Sequence, residues 1–78
     1  MSEAIKRRNE LYDYLPYRGY RNAKALCEEL KDRFNALFSY VKNSTTVVYY
    51  DWLAGIKIEV VLEQVGTERV QVKYLVLL

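Results

Sequence analysis

No histidine stands anywhere in these 78 residues. The commonest acid–base side chain and the commonest metal ligand are therefore both missing. A single cysteine, Cys27, leaves no partner for an internal disulfide. With no signal-peptide pattern beside it, that points to a reducing, cytoplasmic setting. No apolar run approaches the length of a membrane span, so no membrane partner is expected. A phosphate-binding glycine motif, a metal-ligand cluster and a nucleophile–base pair are also lacking. The expectation is a protein that is not an enzyme, with no cofactor and no small-molecule substrate. Net charge is only +2, too little for the whole chain to attract polyanions.

What is present is apolar and aromatic. About half the residues are hydrophobic (51%), enough for one packed core in one domain spanning 1–78. A domain this small is often helped by self-association. Tyrosine occurs eight times, as a recognition surface would need or as a wet rim around a small core.

Two helical stretches open the chain. Ser2 can cap a helix over residues 3–13, with Glu3 in its first turn and Ile5, Leu11, Tyr12 and Leu15 as a loose apolar stripe. Pro16 and Gly19 then break the pattern and make a corner. The second helix is the clearer one. Ala23, Leu26, Cys27, Leu30, Phe34, Leu37, Phe38 and Val41 follow the three–four spacing. Asn22 can cap its start and Asn43 can close it in the left-handed conformation. Cys27 lies on the stripe and reads as a small buried hydrophobe.

Three strands follow. Residues 45–52 are β-branched and aromatic. A loop of Leu53, Ala54 and Gly55 sets Trp52 against Ile56, Tyr50 against Ile58 and Val48 against Val60, with all these even-numbered residues facing the core. Beyond it, Ile56, Ile58, Val60 and Leu62 alternate with polar neighbours, as do Val70, Val72, Tyr74 and Val76. A second loop at Val65, Gly66 and Thr67 would pair Glu59 with Lys73 and Glu63 with Arg69, while a loop at Gln64, Val65 and Gly66 would set Lys57 against Lys73; both keep Val70, Val72, Tyr74 and Val76 on the core face. The expected fold is α+β: two N-terminal helices, then a three-stranded antiparallel meander with the second helix packed across it.

Three patterns carry functional expectations. Asp51 and Glu59, with Gln71 two before Lys73, resemble the core hairpin of the PD-(D/E)xK nuclease family. That likeness implies carboxylates holding Mg²⁺ and a lysine beside the attacked phosphate. It covers only the hairpin, and Gln71 replaces the family's usual acidic residue. Read as residues alone, Asp51–Lys57 and Glu59–Lys73 are ion pairs across a wet sheet face. The second pattern lies in the first two dozen residues. Lys6, Arg7, Arg8, Arg18, Arg21 and Lys24 outnumber Glu3, Glu10 and Asp13 there, and Tyr12, Tyr14, Tyr17 and Tyr20 interleave with them. Bases neutralise phosphates and Tyr rings stack on unpaired nucleobases, so Lys6, Arg7, Arg8, Tyr17, Arg18, Tyr20 and Arg21 are candidate nucleic-acid contacts. A solvated helix face beside a packed Tyr corner explains the same residues.

The third pattern is the C-terminus. Tyr74, Leu75, Leu77 and Leu78 make the last strand apolar on both faces, which calls for cover on both. Either a second subunit supplies it, giving a homodimer, or the first helix does. The leading expectation is a small interaction or regulatory module that binds a macromolecular partner and forms a homodimer. Nucleic-acid binding is the alternative, and a minimal metal-dependent nuclease the third.

Overall fold

The computed structural model describes residues 3–15, 18–34 and 36–78. Two helices and five strands follow in the order α1 (Glu3–Tyr14), β1 (Gly19–Tyr20), α2 (Ala23–Phe34), β2 (Tyr40–Asn43), β3 (Thr46–Asp51), β4 (Ile56–Gln64) and β5 (Val70–Leu77). The strands form one antiparallel sheet in the order β1-β5-β4-β3-β2. The fold is α+β, with five strands where the sequence suggested three.

α1 matches its expected span, and its proposed cap Ser2 lies outside the described residues. α2 starts where expected, with the Ala25 amide donating to Asn22 Oδ1 at 2.9 Å. It ends at Phe34, well short of Val41. Residues 36–39 turn instead, the Ser39 amide donating to the Ala36 carbonyl, and the chain re-enters the sheet as β2. The reason is tertiary. As a strand, Tyr40–Asn43 satisfies the outer backbone groups of β3 and helps bury Val48, which a longer helix would leave open. Asn43 therefore closes no helix. Its Oδ1 accepts from the Thr45 amide and hydroxyl and shapes the β2–β3 turn.

Both hairpin registers differ from expectation. β3 and β4 pair Asp51 with Ile56, Tyr49 with Ile58 and Val47 with Val60. The loop is the four residues Trp52 to Gly55, closed by the Gly55 amide donating to the Trp52 carbonyl, with Asp51 Oδ1 accepting from Ala54. Gly55 takes φ +69°, the left-handed position that glycine fills without strain. One added loop residue turns the strand over. Val47 and Tyr49 enter the core, while Trp52 stands in solvent.

Between β4 and β5 a bulge at Lys73–Tyr74 does the same. Leu62 pairs with Val72, but Val61 already pairs with Tyr74. Val70 and Val72 face the helices before the bulge, Leu75 and Leu77 after it. Tyr74 and Val76, expected in the core, are exposed.

Both helices lie on one face of the sheet. α2 covers β3 and β2, and α1 covers β4 and β5. The second helix alone does not span the sheet. Leu11, Leu15, Leu26, Leu30, Val47, Tyr49, Ile56, Ile58, Val60 and Leu75 fill the space between. β1 pairs Gly19 with Gln71 and Tyr20 with Val70. Gly19 does not take a positive φ, and the Arg69 guanidinium lies over it where a Cβ would stand. Among the described residues, no helix is long and apolar enough to cross a membrane.

Candidate functional site: an exposed aromatic corner

The residues after α2 and the loop after β3 meet at one end of the sheet. Phe38 comes from the 36–39 turn and Trp52 from the β3–β4 loop. Their rings meet edge to face at 5.9 Å between centroids. Leu37 and Leu53 flank them, with Tyr50 and Asp51 below, and the six residues line a cleft of about 40 Å³. Leu37 is 64% exposed, Phe38 57%, Trp52 53% and Leu53 77%. Four large apolar side chains left together in water are costly. Each forgoes a part of the roughly 1.5–3 kcal/mol that full burial of such a side chain is worth. A contiguous patch of this kind marks an interaction surface more often than chance exposure does.

Local structure fixes the corner. The Tyr50 amide donates to Ser39 Oγ at 3.0 Å, tying the turn to β3. The Asp51 carboxylate holds the loop through the Ala54 amide at 3.3 Å. The Lys57 ammonium lies 5.9 Å from the Tyr50 ring centroid, on the sheet face away from the helices. Tyr40, Val48, Glu59 and Val76 form a cross-strand row on that same face, where Lys42 meets Glu59 at 3.4 Å.

The four residues expected to self-associate divide. Tyr74 and Leu78 are exposed. Leu75 is only 7% exposed and Leu77 packs against the core. α1 supplies their cover, and the Tyr12 hydroxyl lies 3.4 Å from both the amide and the carbonyl of Leu75.

The basic segment divides as well. Lys6 is exposed. Arg7 reaches inward. Its Nη1 donates to the Tyr49 hydroxyl at 2.8 Å and to the Phe34 carbonyl at 3.4 Å, and its Nε meets Glu10 at 3.3 Å. Burial pushes the Tyr49 hydroxyl pKa up, and the nearby Arg7 charge opposes that shift. Arg8 is half-buried, and its Nε is enclosed without a hydrogen-bond partner among the described residues. Arg18 lies 4.2 Å from the Tyr14 ring centroid and donates to the Tyr14 carbonyl. Arg33, which the sequence did not single out, lies over the same ring at 5.4 Å. Tyr17 lies outside the described residues. Tyr20 donates to Glu29, and its pKa is raised by burial first and by that carboxylate second. Arg21 lines a separate open cleft of about 510 Å³ with Lys24, Ser44, Gln64, Thr67 and Glu68.

The residues of the nuclease likeness are not assembled. Glu59 pairs with Val76 and Val48, Gln71 with Glu63 and Asp51 with Ile56, while Lys73 sits in the bulge. Among the described residues no group of three or more His, Cys, Asp and Glu could hold a metal ion. Cys27 is buried, and burial raises its thiol pKa, as a structural cysteine would show.

Sequence reading missed the corner because Leu37 and Phe38 fit the helical stripe and Trp52 fit the core face of the strand. The available signal was a loop of Trp and Leu where a hairpin loop is ordinarily polar. Comparison with protein-family models, with curated proteins and with solved structures finds no match for this chain.

Proposed function

We propose that this protein is a small non-catalytic interaction module that docks a protein partner through the Leu37–Phe38–Trp52–Leu53 corner. One observation carries the reading: four large apolar side chains from two separate segments stand more than half exposed around one cleft, with the Phe38 and Trp52 rings in contact. Interface anchors are enriched in aromatic residues, and Trp is the strongest of them. The edge of the sheet at this end is a poor site for added strands. β2 has four residues, carries Lys42 and is irregular between Val41 and Asn43, three features that discourage strand pairing. The partner is therefore held by side chains in the corner.

Self-association belongs to the same test, because a second copy is a candidate partner to be told apart from another protein. Sedimentation of the wild type beside Trp52→Ala at micromolar concentration reads it directly. A dimer that dissociates in Trp52→Ala makes the partner a second copy. A monomer makes it another protein, to be sought by crosslinking from position 53. Partners crosslinked equally well from an exposed site on α1 would overturn the reading.

Nucleic-acid binding keeps one specific observation in its favour. Arg18, just before β1, and Arg33, in α2, converge on the Tyr14 ring. Under that reading affinity falls steeply with salt, and Arg18→Ala and Arg33→Ala each flatten the log–log slope by roughly 0.7–0.9.

A further inference from the structure

The cleft in the aromatic corner is not purely apolar. Phe38, Tyr50 and Trp52 are among the residues that line it, with the Phe38 and Trp52 rings in edge contact, and so is the acidic Asp51. An aromatic face attracts a cation through its quadrupole, and a carboxylate beside it adds a full opposite charge. The chain already uses this chemistry next door, where the Lys57 ammonium lies over the Tyr50 ring. Among the described residues no cation lies over Phe38 or Trp52, and neither Lys nor Arg meets Asp51 in an ion pair.

From this we infer that the Phe38–Trp52 cleft receives a cationic side chain, an arginine or lysine presented by a protein partner. The inference rests on the docking reading above and names the chemistry of the occupant. Asp51 decides between occupants. A purely apolar side chain docked against Phe38 and Trp52 would strip water from the carboxylate and leave it the Ala54 amide alone as partner, which is costly. A nucleic-acid phosphate would bring like charge to it. Two copies meeting cleft to cleft would bring Asp51 toward Asp51. A guanidinium or ammonium stacks on the rings and pairs with the carboxylate at once, and arginine does this best because its planar fork can do both.

The chain holds one tryptophan, so the Trp52 indole N–H gives a single, unambiguous NMR resonance. The test titrates the full chain with acetyl-Gly-Arg-Gly-amide and with the same peptide carrying citrulline, a neutral isostere of arginine. A single side chain on a small peptide should saturate at about millimolar concentration. The expected result is a saturable shift of the Trp52 resonance with the arginine peptide, roughly fivefold weaker with citrulline. Asp51→Asn should remove that preference, since its amide oxygen can still accept from Ala54 and hold the loop. Phe38→Ala should weaken the arginine peptide while leaving far-UV circular dichroism unchanged. Equal affinity for both peptides would overturn the cationic occupant and leave an apolar docking corner. No shift with either would overturn the cleft as a receptor, while the docking reading would stand or fall separately, on whether crosslinking from position 53 exceeds that from an exposed site on α1. A stronger response to a single-stranded oligonucleotide than to the arginine peptide would overturn it in favour of a nucleic-acid surface.

Discussion

The two ends of the sheet treat their large apolar residues in opposite ways. At the β5 end, Leu75 and Leu77 turn under α1, β1 pairs with the start of the strand, and Tyr12 sits over its backbone. At the β2 end, Leu37, Phe38, Trp52 and Leu53 are built into turns that point them outward. Apolar content alone suggested the reverse. The C-terminal leucines looked surplus and the Phe38 and Trp52 side chains looked like core. Exposure is decided by loop length and by one bulge, each of which reverses the side-chain parity of a strand. The open corner is thus a local product of two turns, and the closed end is a product of tertiary cover.

If the β5 end is core, cutting into it should have the largest effect. Leu75→Ala should lower unfolding free energy by about 2–5 kcal/mol, a large share of what a domain of this size possesses, read from the urea midpoint. Tyr74→Ala, next to it but on the open face, should cost far less.

Arg7 comes next, because it ties α1 to the core. Arg7→Ala strands the Tyr49 hydroxyl in a buried setting, and a loss of about 1–3 kcal/mol is expected. The companion change Tyr49→Phe, which removes the buried hydroxyl and leaves Arg7 to Glu10 and Phe34, should cost less than Arg7→Ala. The reverse order would mean that Arg7 is a surface charge.

A smaller effect should appear only at high pH. Tyr20 has its pKa raised above the ordinary 10.0 by burial and by Glu29. The folded state therefore holds the phenolic proton more tightly than the unfolded chain. That contribution is fully present below the ordinary value and is lost as pH climbs past 10.0 toward the folded value. Wild-type midpoints compared at pH 8 and pH 11 should fall more than those of Tyr20→Phe. Equal falls would remove Tyr20 from the alkaline response, leaving Tyr49, whose pKa burial also raises.

Leu53→Ser should have the smallest effect on folding, within about 0.5 kcal/mol, because the side chain is almost free of contact. It should nonetheless weaken partner capture. A variant that loses stability but keeps its partner would invert the comparison.

Much of the architecture was legible in the residues. The α1 span, the Asn22 cap, the hairpin between β3 and β4 with Gly55 left-handed, and the core face of β4 all follow from periodicity and turn chemistry. β4 was readable because Lys57, Glu59 and Glu63 alternate with its apolar residues. β3 was not. Val47, Val48, Tyr49 and Tyr50 are apolar on both faces, so only loop length sets their parity, and sequence does not reveal whether Trp52 belongs to strand or loop. The end of α2 was hidden because Leu37, Phe38 and Val41 continue a helical spacing that the demands of the β3 edge override. The Asn43–Ser44 pair between two β-prone runs was the hairpin signal. Of the basic segment, spacing showed the charges but could not show that Arg7 points inward or that Arg33 joins Arg18. The corner was least legible, because it is assembled from two misread boundaries.

The most direct test of the corner as surface is the stability of Trp52→Ala, followed by far-UV circular dichroism in urea. A midpoint within about 1 kcal/mol of wild type, the worth of its edge contact with Phe38, is the result this account predicts. A loss of about 3–5 kcal/mol, the cost of removing a core tryptophan, would contradict it.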